Sequence, residues 1–176
     1  MSFIHLHVHS EYSWLDGVCI IDDLVQRAVQ YEMPAVAVTD RNSVAGASRL
    51  WHQCIKAGIK PIIGLEIAVQ NDPGDSRVFS VILLAKNGSG YENLCRLITQ
   101  AHEHDPQAPK ITKRQLREHS QNLICLSFSV AGELCTLYWK IKTNRQDRFR
   151  IGIMRFMVRI TTTRSRTTGY HLKRWP

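Results

Sequence analysis

Four short, nearly unbroken apolar runs constrain this chain more than any other feature: "PAVAVTD" from Pro34, "KPIIGLEIAV" from Lys60, "VFSVILLA" from Val78 and "NLICLSF" from Asn122. Runs of this length and composition read as strands buried on both faces, the kind found in sheets covered by helices. The intervening stretches carry the other period. Ile21, Leu24, Val25, Ala28 and Val29 follow a helical spacing, with Asp22 and Asp23 in the first turn where the helix dipole favours acids. Val44, Ala47, Trp51, Cys54 and Ile55 form a second such stripe, with Ser43 as candidate cap and Gly58 as stop; Tyr91, Leu94, Leu97, Ile98 and Ala101 form a third after Gly90. Thr112 and Gln115 have the spacing of a capping box that opens a short helix. Phe3 to His9 alternates with period two and reads as the first strand. The expectation is an α/β fold of parallel strands with helices outside, either a barrel or a doubly wound sheet. In such folds chemistry gathers at the carboxyl ends of the strands, near which His7, His9, Asp16, Asp40, Arg41 and Glu66 all fall.

Charge narrows the range of partners only after it is located. The chain of 176 residues has a net charge of +8, yet residues 140–176 hold eleven of the 23 Lys and Arg and one of the 15 Asp and Glu. Residues 1–139 are therefore slightly acidic and carry no compositional sign of a phosphate-binding surface. The five cysteines are odd in number, widely spaced and without a C-x-x-C pair, which disfavours a disulfide framework or a cysteine zinc knuckle. No run approaches a membrane span, and the first residues lack the pattern of a secretory signal, so no membrane and a cytoplasmic setting are expected.

The stretch "HLHVHSEYSWLDG" brings three imidazoles together. On a regular strand His5, His7 and His9 share one face, with Asp16 close behind, and neutral imidazole with carboxylate is the ligand set of Zn, Mn or Fe. His52, His102, His104 and His119 read as ordinary solvated residues, and "HEHD" at His102 lacks a second ligand pair.

The segments "FIHLHVHSEYSWLDG", "VAVTDRNSVAGA", "GIKPIIGLE" and "LLAKNGSGYENLCRLI", in this order and spacing, resemble the polymerase-and-histidinol-phosphatase (PHP) domain of bacterial DNA polymerase III alpha subunits, from about Phe3 to about Leu134. The resemblance implies a distorted (β/α)7 barrel of PHP type, here incomplete, whose active members hold up to three metal ions and hydrolyse phosphoesters. It makes His7, His9, Asp16 and Glu66 the metal ligands and assigns no catalytic or nucleic-acid-binding residue. Other ligand positions of the family are replaced: Arg41 stands where active members have the histidine of T-D-H, Ser80 stands at another histidine position, and Ser129 at a cysteine. Asp40 reads as a loop-end hydrogen-bond acceptor. A guanidinium among these groups supplies positive charge that a metal would otherwise bring, so Arg41 is expected to replace a metal by pairing with Glu66 or Asp16. The site is expected to be degenerate, holding at most one Zn or Mn ion weakly, with no metal required for folding.

The resemblance also implies a mainly structural role in DNA replication or repair, docked on the polymerase core and the proofreading subunit, with DNA reached only through regions outside this chain. The alternative is a metal-dependent phosphoesterase or 3′–5′ exonuclease acting on nucleotide ends. Residues 1–139 are expected to form the PHP-like domain, truncated, and residues 140–176 a basic low-complexity tail of the kind a reading-frame change produces, the rival being a basic arm that binds nucleic acid.

Overall fold

Only residues 71–77 separate the second and third strands, too few for the crossover that parallel neighbours need, so these two strands must fold back on each other. That length limit explains the main departure from a uniformly parallel sheet. The computed structural model describes residues 3–71 and 77–127. Its elements in chain order are α1 (Ile21–Gln30), β1 (Ala35–Val38), α2 (Ala47–Ala57), β2 (Lys60–Gln70), β3 (Val78–Ala85), α3 (Gly88–His104), β4 (Lys110–Thr112), α4 (Lys113–Glu118) and β5 (Leu123–Ser127). The sheet runs β1-β2-β3-β5, with β4 beside the far end of β2. Pairs β1/β2 and β2/β4 are parallel, as the expected α/β class requires, whereas β2/β3 and β3/β5 are antiparallel. This open α/β sheet ends, among the described residues, at β5. The expected boundary between residues 139 and 140, and the tail beyond it, lie outside the described residues, as does Ser129.

One sheet face is covered. Leu65, Ile67 and Val69 of β2 and Leu83 of β3 pack against Leu94, Leu97 and Ala101 of α3 in one core. A second core joins Ile21, Val25 and Ala28 of α1 to Leu50 and Cys54 of α2 and to Val36 and Val38 of β1. Each buried Leu, Ile or Val among them contributes about 1.5–3 kcal/mol. The opposite face carries Glu66 and, across the strands, Ile62, Leu84, Ile124 and Leu126, the last four lining a cavity of about 700 Å³.

The helix stripes form with local corrections. In α1 Val29 stays exposed, and in α2 Ile55 stays exposed, because each lies at the edge of its buried stripe. Ser43 does not cap α2: its hydroxyl accepts from the Ala45 N–H and closes a turn, and the helix starts at Ala47 behind Gly46. Gly58 ends α2 at φ 74°, as a left-handed stop. α3 begins before Gly90, since the Asn87 side chain accepts from the Gly90 N–H. The Thr112–Gln115 capping box is complete. The three-residue β4 lacks any sequence signal of its own; it exists because β2 offers a free edge from Ala68 to Gln70.

Cys19, Cys54, Cys95 and Cys125 are free thiols, and burial pushes Cys54 and Cys125 up to about 11, so both stay protonated at neutral pH. No helix among the described residues is long and apolar enough to cross a membrane.

Gly64 of β2 sits where its neighbours approach too closely for a side chain. A Cβ there would meet Thr39 Cγ2 at 2.6 Å, Leu84 Cδ2 at 2.7 Å and the Leu83 carbonyl at 2.8 Å. Gly64→Ala is expected to cost about 1–3 kcal/mol, because backbone cannot yield as a side chain can. A urea midpoint unchanged from the parent would contradict this.

Candidate metal centre

The site grows out of a register that does not slip. Ala35 to Val38 pair with Lys60 to Ile63, and the same offset continues to an isolated bridge between Arg41 and Glu66. The Glu66 N–H donates to the Asp40 carbonyl at 3.0 Å and the Asn42 N–H donates to the Glu66 carbonyl at 2.9 Å. Glu66, 1% exposed, is thereby fixed beside Arg41, which lies just past the carboxyl end of β1, while Glu66 itself sits inside β2 and not at its end as the sequence suggested.

On the other side of β1 runs the H-x-H segment, and here the expected strand does not form. The Ala37 N–H donates to the His5 carbonyl and the Thr39 N–H to the Val8 carbonyl: three residues of one segment span two of the other. The extra residue breaks the ladder as a bulge does, and the Thr39 hydroxyl accepts from the Val8 N–H at 3.1 Å in place of a main-chain partner. Alternation is lost between His5 and Val8. His5 is exposed and stacks edge-on with Phe3, outside the cluster, whereas His7 and His9 both turn to Glu66.

Asp40 anchors the turn that follows. Its Oδ1 accepts from the Ser10 N–H at 2.6 Å and the Ser13 hydroxyl at 2.8 Å, and its Oδ2 from the Ser10 hydroxyl at 2.8 Å. Asp40 is 1% exposed, and its role is the hydrogen-bond acceptor read from the sequence. Ser10 and Ser13, both buried, were not singled out by the sequence; two hydroxyls three residues apart just after H-x-H were the available signal. Gly17 is required because a Cβ there would fall on the Ser10 carbonyl.

The chemistry centres on one carboxylate. His7 Nε2 and His9 Nε2 lie 3.0 and 2.9 Å from Glu66 Oε2 and 3.3 Å from each other. Arg41 donates from Nε and Nη2 to Glu66 Oε1 at 3.2 and 3.1 Å, and its Nη1 lies 2.6 Å from Asp16 Oδ2. Among the described residues His7, His9 and Glu66 form a group of donors close enough to hold one ion. Asp16 is outside it, held across the guanidinium. Ser80 lies on Glu66's face of the sheet, opposite Ala68 on β2, and outside that donor group. Tetrahedral Zn with bonds of about 2.0–2.1 Å separates its ligands by about 3.3 Å, so donor spacings of 2.9–3.3 Å fit three of its four positions.

Burial works to raise the Glu66 carboxyl, but hydrogen bonds from His9 and His7 and the Arg41 charge outweigh it and hold the group below its ordinary range. A depressed carboxyl stabilises the fold above its unfolded pKa, and that contribution fades as pH falls through the folded value. Below about pH 4.5 the parent should therefore lose stability that a Glu66→Gln variant does not lose, measured as urea midpoints at neutral and acid pH. Parallel pH profiles for the two proteins would contradict the assignment.

The sequence matches the PHP domain family over residues 5–160. It is 41% identical over 140 residues to the DNA polymerase III subunit alpha of Borreliella burgdorferi, across 74% of this chain and 12% of that protein. The same subunit of Chlamydia trachomatis is 41% identical over 143 residues, and the error-prone DNA polymerase of Symbiobacterium thermophilum 38% identical over 154. The chain spans 12–14% of the length of these relatives. Among solved structures, an amidohydrolase from Chromobacterium violaceum with bound sulfate and no metal superposes with a TM-score of 0.46 at 23% identity, over 57% of this chain and 33% of that one. The match to the family takes in every described residue from His5 onward, and this chain belongs to the PHP domain family.

Proposed function

We propose that this chain is the PHP module of a DNA polymerase III alpha-type protein, with a structural role in DNA replication or repair and a reduced metal site that does not hydrolyse phosphoesters. The carrying observation is Arg41, whose fork spans Asp16 and Glu66 and brings fixed positive charge to the carboxylates. In the whole protein the module docks on the polymerase core and the proofreading subunit in the cytoplasm. Identity of about 40% to alpha subunits supports this assignment.

His7, His9 and Glu66 are the residues that would hold a single Zn or Mn ion, and such an ion supplies Lewis acidity toward a phosphoryl oxygen. Glu66 contributes charge, and the two imidazoles contribute neutral nitrogen once their Nε2 protons leave. Arg41 opposes a second ion beside Asp16, which removes the partner that multi-ion phosphoester chemistry needs. The donor triangle itself favours the second reading, a metal-dependent phosphoesterase or 3′–5′ exonuclease. Hydrolysis of a chromogenic phosphodiester with Mn or Zn separates the two. The expected rate equals that of metal in buffer; turnover that disappears in His7→Ala would make the phosphoesterase the better reading. Primer extension by the 176-residue chain alone is likewise expected at background.

A further inference from the structure

Arg41 holds two separate parts of the molecule with one guanidinium. One side is immovable: Glu66 is 1% exposed, and its main chain is bonded to Asp40 and Asn42. The other side is a turn tip. The base of that turn is closed by the bridge between Ser10 and Cys19 and by Asp40 and the Arg41 N–H, which hold the Ser13 hydroxyl; at the tip, among the described residues, the Asp16 and Gly17 N–H groups bond to the Ser13 carbonyl. Trp14, Leu15 and Val18 are 89%, 95% and 92% exposed, and Leu15 sits at φ 65°, a region unfavourable to a residue with a Cβ. Among the described residues, the Asp16–Arg41 ion pair is the side-chain tie between the tip and the sheet.

We propose that Arg41 is a latch displaced by a divalent cation: an ion on His7, His9 and Glu66 weakens the guanidinium's hold on Glu66 and thereby releases Asp16 and the tip at residues 14–18. This rests on the single-ion reading above. Glu66 has one negative charge to share, and a dication on the Oε2 side repels a guanidinium whose nitrogens lie 3.1 and 3.2 Å from Oε1. Between the two, Arg41 moves, because its side chain is 47% exposed and Glu66 is locked. In the closed latch Glu66 fixes the guanidinium that Asp16 pairs with; once Arg41 swings outward, any remaining contact with Asp16 joins two mobile side chains, which holds a turn poorly. The coupling is reciprocal, so a closed latch weakens ion binding by the factor by which the ion loosens the latch.

The test follows hydrogen exchange by mass spectrometry over residues 11–20 of the full chain, with zinc chloride and with chelator, while bound zinc is measured in the same samples. At one zinc per chain, the Asp16 and Gly17 amides should exchange about fivefold faster or more than in chelator. In Arg41→Met they should exchange at the fast rate in both conditions, with tighter zinc binding. Should that variant not fold, Asp16→Asn, which leaves the Arg41–Glu66 pair intact, should show the fast rate without zinc. Stoichiometric zinc with unchanged exchange would overturn the latch and leave the single-ion reading standing. So would a zinc effect that persists in Arg41→Met. Absence of zinc binding would overturn both.

Discussion

Asp40→Ala is expected to destabilise the protein by about 2–5 kcal/mol, because it takes a buried carboxylate acceptor away from several neutral donors. Three donors lose their acceptor at once: the Ser10 N–H, the Ser10 hydroxyl and the Ser13 hydroxyl. The two hydroxyls can rotate toward other acceptors, but the main-chain N–H cannot, and a buried unsatisfied donor costs about 1–3 kcal/mol by itself. The damage spreads to the site, because the segment carrying His7 and His9 is tied to β1 by two main-chain bonds and the Thr39 hydroxyl. Asp40→Asn keeps the shape and one acceptor oxygen, so its loss should be smaller. Urea denaturation of the three proteins measures both effects. A loss below about 1 kcal/mol for Asp40→Ala would mean that the anchor is dispensable.

Arg41→His should raise affinity for zinc or manganese on the order of 10–100-fold. The change removes a fixed positive charge from beside Glu66 and places an imidazole at the histidine position of the family motif. It also frees Glu66 Oε1 and Asp16 from their shared partner, so the stoichiometry can rise above one ion. Elemental analysis after dialysis, with competition against a chelator of known affinity, measures the shift. An unchanged or lower affinity would show that the guanidinium does not oppose the metal.

The sequence was most legible where one residue pattern maps to one local geometry. The stripe through Ile21, Val25 and Ala28 could form only one kind of helix, and Gly58 could end α2 in the left-handed conformation without strain. The Thr112–Gln115 box needs nothing beyond its own six-residue helix. Legibility failed where a partner decided the outcome. β4 follows from the edge of β2, and the antiparallel turn from β2 to β3 follows from the chain length available between them.

For the site, the H-x-H run with an acid close behind pointed to His7, His9 and Asp16 by ligand chemistry alone, whereas Glu66 and Arg41 were singled out by the resemblance to the PHP family. The alternation that grouped His5 with its neighbours assumed a regular strand, and the extra residue between the His5 and Val8 carbonyls cancels that assumption. Ser10 and Ser13 became visible only when folding buried them against Asp40. By itself, then, the sequence determined the helices, the strands of the main sheet, and a set of imidazoles and carboxylates with one guanidinium among them, because propensity, period and charge are local properties. Only the tertiary structure decided that a single buried carboxylate would gather two imidazoles on one oxygen and an arginine on the other, because that arrangement depends on a register held from Ala35 to Arg41 between strands 25 residues apart in the chain.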